Sequence, residues 1–272
     1  MTRAVDDFKA AGIETPGLDA MILMETVLGK TREYLVAHPE DEISNERQKQ
    51  FLQLVTRRKN REPISHITNK KEFYGREFLI SPDVLTPRPE TELIIEAALK
   101  LYAKDSKINI LDLGTGSGCI ILTLLAELPN ARGVGVDISN SALAIAKNNA
   151  YNLGIANVEF VNSDWCKNLD SDQKFQLIVS NPPYIPNCEA KNLPAELSYE
   201  PDAALFGGDD GLECYRRLAE EISAIDFNTA VFEIGINQEH EIEKIFDDYQ
   251  IKLKEIVADL AGIPRVMIFQ KQ

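Results

Sequence analysis

An asparagine, two prolines and a tyrosine follow a short strand-like run in LIVSNPPYIP, residues 177–186. Prolines often end a strand, because the ring fixes φ and removes a backbone N–H. That structural role explains Pro182 and Pro183, but not the Asn181 and Tyr184 that flank them. The Asn181 side-chain oxygen and the Pro182 carbonyl could accept the two hydrogens of a planar NH₂ group, while Tyr184 stacks on its flat face. Such a group has a delocalised lone pair, so its attack on an electrophile depends on positioning.

The two acceptors would fix the nitrogen of an adenine or a glutamine side chain and favour a tetrahedral geometry as its new bond forms. Pro183 would remove the next N–H and stiffen the turn so that the Pro182 carbonyl points outward. The alternative is a strand-ending turn with no chemical role. The sequence therefore predicts Asn181, Pro182 and Tyr184 as catalytic residues, with Pro183 as a further substrate contact.

A glycine-rich turn, LDLGTGSG at residues 111–118, lies where a predicted strand meets a predicted helix. The first such turn in a doubly wound sheet opens a ligand crevice, and glycines let the backbone approach the ligand. The spacing of Gly114, Gly116 and Gly118 is not G-x-G-x-x-G, and the turn lacks the lysine of a P-loop. Asp112 precedes the glycines and favours a cationic ligand over a pyrophosphate. Taken alone, this turn could also be structural or nucleotide-binding.

Acidic residues follow the next two predicted strands. Asp137 ends the second strand, where a carboxylate can accept both hydroxyls of a ribose, although it could instead cap the helix that begins in DISNSA. Asp164 ends the third strand beside Trp165, and this pair suits the amine and ring of an adenine. Trp165 alone would be explained as a packing residue. Together with the glycine turn, these residues indicate S-adenosyl-L-methionine, whose sulfonium and amino group are cationic, with S-adenosyl-L-homocysteine as product.

The elements that position these residues are predicted from apolar periodicity. Residues 1–60 carry apolar residues at helical spacing, with Thr31 and Ser44 as N-caps, which predicts a small helical bundle. EFYGREFLI alternates around Gly75, which predicts a β-hairpin. From about residue 90, strand and helix patterns alternate, and the last two strands lack an intervening helix. The fold class is therefore α/β: a mainly parallel, Rossmann-like sheet with a terminal antiparallel hairpin, preceded by the helical bundle.

Composition limits the function classes. The chain has 272 residues, enough for two domains. Residues 1–70 have no net charge and the remainder carries −14, which disfavours tight nucleic-acid binding. We expect no metal site, because the four cysteines and three histidines are scattered. No apolar run is long enough to span a bilayer and no targeting segment is evident, so we expect a cytoplasmic protein.

Four blocks of the sequence resemble one family in its own order: residues 61–92, LDLGTGSGCI, NPPYIP and residues 199–218. NPPY after the fourth strand is similar to amino-methyltransferases that act on adenine N6, guanine N2 or glutamine N5. The chain as a whole resembles the glutamine N5-methyltransferases of peptide chain release factors (the PrmC/HemK family). One departure is Asn69, where the family usually has glycine. Asparagine tolerates left-handed geometry, so only the detail of the inter-domain hinge is affected.

This resemblance implies a class I S-adenosylmethionine-dependent methyltransferase domain that methylates the Gln of the Gly-Gly-Gln loop in class I release factors. The implied domains are 1–70, a helical substrate-recognition domain, 71–88, a hairpin linker, and 89–272, the methyltransferase domain. The implied cofactor-binding residues are Gly114, Thr115, Gly116, Ser117, Gly118, Asp137, Trp165 and Asn181. Asp164 is added to them because it ends the third predicted strand beside Trp165. The implied substrate contacts are Asn181, Pro182, Pro183 and Tyr184.

Two other functions remain open at this stage. One is methylation of a glutamine on a large-subunit ribosomal protein, although that enzyme's motif usually continues with an acidic residue where this chain has Ile185-Pro186. The other is adenine N6-methylation of a nucleic acid, but no recognition domain or basic face is apparent. A non-catalytic cofactor-binding protein would require a broken NPPY or glycine turn, and both are intact. We expect no stable nucleic-acid or membrane partner, and the oligomeric state is left open with a monomer as the working expectation.

Overall fold

The computed structural model describes residues 1–170 and 173–271. The predicted methyltransferase domain also includes Ser171, Asp172 and Gln272, which lie outside the described residues. The chain divides into two units: Met1–Lys70 with Pro194–Tyr199, and Lys71–Leu193 with Glu200–Gln272. The three-part division at residues 70 and 88 stays a prediction.

The first unit is helical. Its helices are α1 (Thr2–Ala10), α2 (Pro16–Leu28), α3 (Arg32–Ala37), α4 (Asn45–Lys59) and α5 (Ile64–Thr68). Both predicted N-caps are confirmed, because the Thr31 and Ser44 side chains accept hydrogen bonds from the first turns of α3 and α4. The short α5 was not predicted; it ends at Asn69, whose φ of 56° is left-handed. Phe8, Leu23 and other apolar residues of α1, α2 and α4 form the core of this unit.

A cluster of buried charges completes the helical unit. Arg58 on α4 is buried and donates to Asp19 Oδ2 at 2.7 Å and to Glu196 Oε1 at 3.2 Å. Arg61 donates to the other oxygen of Glu196 at 2.7 Å. The Tyr199 hydroxyl donates to the Asn60 carbonyl at 2.9 Å. These bonds explain why the short segment Pro194–Tyr199 belongs to the helical unit although it is distant in sequence.

The second unit is built on a seven-stranded sheet, after a hairpin of β1 (Lys70–Phe73) and β2 (Arg76–Leu79) that begins at the boundary of the two units. The strands are β3 (Asn109–Leu113), β4 (Arg132–Asp137), β5 (Val158–Asn162), β6 (Lys174–Ser180), β7 (Asp226–Glu233), β8 (Ile251–Ala258) and β9 (Pro264–Lys271). Their order is β5-β4-β3-β6-β7-β9-β8. Strands β3 to β7 are parallel, and β9 is antiparallel to both neighbours. The predicted fold class is confirmed.

Helices cover both faces of this sheet. They are α6 (Glu92–Leu101), α7 (Cys119–Glu127), α8 (Asn140–Leu153), α9 (Glu213–Ser223) and α10 (Glu239–Asp247). On β6, Leu177 and Val179 belong to the core that contains α6, α7 and α8, whereas Ile178 belongs to the core that contains α9 and α10. A strand buried on both sides needs an unbroken apolar run, and LIV supplies it. Helix α6 was not predicted, although Glu92, Glu96 and Lys100 recur at helical spacing along one face.

The sheet topology sets the position of the site. β3 lies between β4 and β6, so the chain changes direction across the sheet at β3. Leu113 is paired with Val136 on one side and with Ser180 on the other. The next residue along each strand is therefore Gly114, Asp137 or Asn181. In a parallel sheet this point is where a ligand crevice opens.

Candidate active site

A cavity of about 490 Å³ lies at the carboxyl ends of β3, β4, β5 and β6. Its volume is within the range of small-molecule sites. The predicted site residues that line it are Gly114, Thr115, Gly116, Ser117, Asp137, Asp164, Trp165, Asn181 and Pro183. The structure thus brings together residues that are up to 69 positions apart in sequence. Of the other predicted residues, Gly118 is the N-cap of α7, Pro182 is buried and Tyr184 is half-buried, and none of the three lines the cavity.

The glycine turn presents its backbone to the cavity. Gly114, Gly116 and Gly118 all have positive φ, at 73°, 55° and 79°, a geometry that side chains rarely adopt. A Cβ on Gly116 would meet no atom within 4 Å, so this part of the turn faces open space. The turn is held by Val136, whose carbonyl accepts from the N–H groups of Gly114 and Thr115 at 2.9 and 2.8 Å. A ligand can therefore approach the turn closely.

Asp137 connects the second strand to the glycine turn. Its Oδ2 accepts from the Gly116 N–H and its Oδ1 from the Ser139 N–H, both at 2.9 Å. The cap of α8 is Ser139, whose hydroxyl accepts from Ala142 N at 3.2 Å, so the alternative role of Asp137 as that cap is wrong. Burial raises the pKa of Asp137. An ionised carboxylate has lone pairs beyond the two in use, which could accept ribose hydroxyls.

Two buried oxygens beside the turn lack partners among the described residues. Asp112 is fully buried; its Oδ2 accepts from the Thr115 hydroxyl at 2.6 Å, but its Oδ1 has no hydrogen bond. Burial raises the pKa of Asp112 to about 7. The Ser117 hydroxyl is also buried without a partner. Unpartnered buried polar groups are costly. Ser117 lines the cavity, so its hydroxyl can meet a ligand, whereas Asp112 does not line it.

Asp164 and Trp165 form another side of the cavity. The Asp164 carboxylate accepts from Lys167 Nζ at 2.5 Å and from an Arg217 Nη at 2.7 Å. The hydrogen bond to Lys167, followed by that to Arg217, lowers the pKa of Asp164. Trp165 has a left-handed φ of 54°, unusual for a bulky residue, and its ring lies 3.9 Å from the place of a Cβ on Gly114. The ring therefore borders the glycine turn, and adenine recognition by this pair stays a prediction.

The two ends of NPPY are held by separate hydrogen bonds. Asn181 Nδ2 donates to the Thr91 hydroxyl at 3.2 Å, which leaves Asn181 Oδ1 to act as an acceptor. The Tyr184 hydroxyl donates to Glu233 Oε1 at 3.2 Å. Burial is the main cause that raises the pKa of Tyr184, so this phenol stays protonated. Asn181 lines the cavity with its amide oxygen as an acceptor, whereas Tyr184 does not line it, so substrate contact by NPPY stays a prediction.

The backbone of NPPY is supported by the segment that follows it in space. A Cβ on Gly207 would lie 2.5 Å from the Pro183 carbonyl oxygen, and one on Gly211 would collide with the Tyr184 carbonyl oxygen. Gln238 Nε2 donates to that same Tyr184 carbonyl at 3.0 Å. Gly207 and Gly211 of FGGDDG are thus required by close backbone approach.

Three supporting residues were not predicted from the sequence: Thr91, Glu233 and Gln238. Glu233 had a visible signal, since it is a charged residue at the end of the apolar strand TAVFE. Thr91 and Gln238 had no such signal in the sequence, because each is hydrogen-bonded to an NPPY residue at least 54 positions away.

Among residues 1–170 and 173–271, no group of three His, Cys, Asp or Glu side chains could hold a metal ion. In the same described ranges, no helix combines the length and the apolar character that crossing a membrane requires.

Comparison with known families gives two matches. Residues 1–68 match the PrmC N-terminal domain, and residues 104–206 match a methyltransferase domain. The catalytic domain of hMettl16, crystallised with an RNA hairpin, has a similar fold with a TM-score of 0.62. The match covers 84% of this chain and 82% of the hMettl16 chain at 14% sequence identity, so the likeness shows the fold alone.

Curated relatives match over nearly the whole chain. A release factor glutamine methyltransferase of Caulobacter vibrioides is 41% identical over 271 residues, covering 98% of this chain and 93% of the relative. A bifunctional methyltransferase of Rickettsia conorii is 35% identical over 297 residues, covering 99% of this chain. The chain spans only 56% of the length of that second relative.

Proposed function

We propose a function from one finding: the chain belongs to the release factor glutamine methyltransferase family. The proposed reaction transfers a methyl group from S-adenosylmethionine to the side-chain amide nitrogen, N5, of the glutamine in the Gly-Gly-Gln loop of a class I release factor. The observation that supports it most is the orientation of Asn181. Its Nδ2 is bonded to Thr91, so its oxygen is available to accept an N–H of the substrate amide.

The cavity fits the proposed cofactor. The glycine turn, Asp137 and the Trp165 ring would hold the nucleoside part, and the unpartnered Ser117 hydroxyl suits the amino acid part. Asp112 does not line the cavity, and its negative charge would act on the cationic ligand from behind the turn. When bound, S-adenosylmethionine supplies an electrophilic methyl group: an N–C bond forms, the S–C bond breaks with its electron pair left on sulfur, and the amide nitrogen loses a proton to solvent.

The protein's own contribution is to orient the substrate amide. Asn181 Oδ1 and the Pro182 carbonyl would each accept one N–H, which directs the nitrogen and supports its loss of planarity as the bond forms. Tyr184 would stack on the amide plane, with its hydroxyl anchored on Glu233. Orienting a reactant in this way can supply several kcal/mol of the barrier reduction.

The other candidate substrates have no specific support in the structure. Fold likeness to an RNA-bound methyltransferase domain does not identify a substrate. The net charge of −14 lies on residues 71–272 and disfavours nucleic acid. A release factor acts in translation, so the proposed place of action is the cytoplasm.

Incubation with labelled S-adenosylmethionine and three candidate substrates tests the proposal. The substrates are a class I release factor, a large-subunit ribosomal protein and single-stranded DNA, each followed by mass mapping of the modified residue. We expect label on the glutamine of the Gly-Gly-Gln loop, and no label on a release factor in which that glutamine is replaced. Label confined to another substrate would overturn the proposal.

A further inference from the structure

Glu233 is a charged residue in an apolar place. It is the last residue of β7, pairs with Val266 of β9, and is only 2% exposed. The residues before it in the strand, Ala230 to Phe232, are completely buried. A carboxyl group at such a position is unfavourable unless it is needed by neighbouring groups.

The carboxyl group of Glu233 has fewer partners than its burial requires. Oε1 accepts from the Tyr184 hydroxyl at 3.2 Å, whereas Oε2 has no hydrogen bond among the described residues. The backbone is fixed separately, because the Tyr215 hydroxyl donates to the Glu233 carbonyl at 2.8 Å. Burial raises the pKa of Glu233 to about 7, while hydrogen bonding by Thr91 and Tyr184 acts in the opposite direction. The Glu233 side chain therefore contacts NPPY, whereas the position of β7 depends on backbone hydrogen bonds.

Thr91 links this carboxyl group to the other end of NPPY. Its hydroxyl is buried and accepts from Asn181 Nδ2 at 3.2 Å, and hydrogen bonding by Thr91 lowers the pKa of the Glu233 carboxyl. A hydroxyl that accepts from an amide has its own proton free for another acceptor. Directed at the unpartnered Glu233 Oε2, this proton would make the donors point in one direction, from Asn181 through Thr91 to Glu233. Only one orientation of the Asn181 amide fits this direction, and it presents the oxygen to a substrate.

We propose that Glu233 is a positioning residue, which anchors Tyr184 directly and Asn181 through Thr91, so that both ends of NPPY are oriented before the substrate arrives. This inference rests on the proposed function, because it concerns the same transfer site. Glu233 should therefore affect the rate of methyl transfer. Cofactor affinity should not depend on it, since Glu233 does not line the cavity.

The test compares isosteric variants in the full chain with a release factor as substrate. Glu233→Gln keeps the shape but replaces one acceptor by a donor, so we expect single-turnover methylation to fall at least about 10-fold with KM and cofactor affinity within about 2-fold. Thr229→Val, a buried isosteric change on the same strand, is the control and should retain wild-type rates. In Glu233→Gln/Tyr184→Phe, the combined loss should be smaller than the product of the two single losses, since the residues act together.

Thr91 supplies a second test if Glu233→Gln does not fold. Thr91→Ser keeps the hydroxyl and should retain most of the turnover, whereas Thr91→Val should lose it. Because Thr91 lines the cavity and Glu233 does not, cofactor affinity is compared in Glu233→Gln alone. Wild-type rates in Glu233→Gln, or an equal loss of turnover in Thr91→Ser and Thr91→Val, would overturn the inference, as would a parallel loss of cofactor binding in Glu233→Gln. If the wild-type chain itself fails to methylate the release factor, the proposed function fails instead.

Discussion

Asn181 uses its two side-chain ends for different tasks, since Nδ2 is bonded to Thr91 and Oδ1 is left for the substrate. The hydrogen bond from the substrate amide to Oδ1 should strengthen in the transition state, as the amide nitrogen loses planarity. Such an interaction affects the turnover rate more than the substrate affinity. We therefore expect Asn181→Ala to lower turnover at least about 100-fold, the size of effect of one oriented polar group at a reacting centre. Asn181→Asp keeps an acceptor in place and should retain partial activity. Single-turnover kinetics with a release factor measures both.

Asn152→Ala is the matched control, because Asn152 is an exposed asparagine on α8. It should have wild-type turnover. If Asn181→Ala kept its turnover and lost only substrate affinity, NPPY would be a binding turn and the proposed mechanism would be wrong.

The proposed ribose contact of Asp137 gives a prediction about cofactor affinity. Asp137→Ala should weaken S-adenosylmethionine binding by about 1–3 kcal/mol, the scale of hydrogen bonds to a charged group. The carboxylate also holds the Gly116 N–H, so part of the loss comes from a looser glycine turn. Calorimetry measures the change, with the exposed Asp105→Ala as control. Unchanged affinity in a folded Asp137 variant would refute the contact.

Asp112 gives a prediction about pH. Its pKa is raised from 3.8 to about 7 in the folded protein, so the folded state holds the proton more tightly than the unfolded state. The stabilisation is complete below about pH 4 and is lost as pH rises through about 7. Relative to Asp112→Asn, the cofactor-free wild type should lose about 1.4 kcal/mol of unfolding free energy per pH unit over this window. Urea unfolding at pH 4.5 and 7.5 measures the difference, and a constant difference would contradict the prediction.

At the scale of elements, the loop that contains Gly207 and Gly211 supports NPPY from outside the cavity. Gly211→Ala would place a methyl group against the Tyr184 carbonyl, so we expect turnover to fall while the cofactor still binds. Gly262→Ala is the control: its φ of 79° is close to the 76° of Gly211, but a Cβ there meets nothing within 4 Å. Comparing the two variants separates steric collision from backbone strain. Equal turnover in both would mean that the loop does not support NPPY.

Elements with a regular apolar pattern were predictable, and those fixed by distant contacts were not. Strands β3, β6, β7 and β9 carry runs of buried residues and α8 to α10 carry them at helical spacing, so their sequences sufficed. The edge strands β5 and β8 are mostly half-buried or exposed and were predicted from their apolar residues alone. The short helical turns between residues 187 and 204 have no buried residue, so they carry no such pattern. The site divides in the same way: each predicted residue is the last residue of a strand or lies within five residues after one. Thr91 and Glu233 are 142 positions apart in sequence, and only the fold brings both to NPPY.

At the scale of the whole molecule, we expect the helical unit to supply contacts to the substrate protein and no chemistry. The cavity is lined entirely by residues of the second unit. A chain that begins at Lys71 should therefore bind the cofactor but methylate an intact release factor poorly. Cofactor titration and methylation kinetics measure the two properties. The control is Glu196→Gln in the full chain, which removes the ion pairs of Glu196 with Arg58 and Arg61 but keeps the helices. Full activity of the shortened chain would show that the helices are dispensable.

The ion-pair cluster of the helical unit joins residues that are synthesised at different times. Arg58 is 39 residues from Asp19 but 138 residues from Glu196. At translation rates of roughly 5–20 residues per second, Arg58 is synthesised about 7–28 s before Glu196. During this interval Arg58 has Asp19 as a partner, whereas Arg61 lacks the Glu196 carboxylate with which it pairs. The helical unit can reach its final form only after β6 and NPPY have also been synthesised.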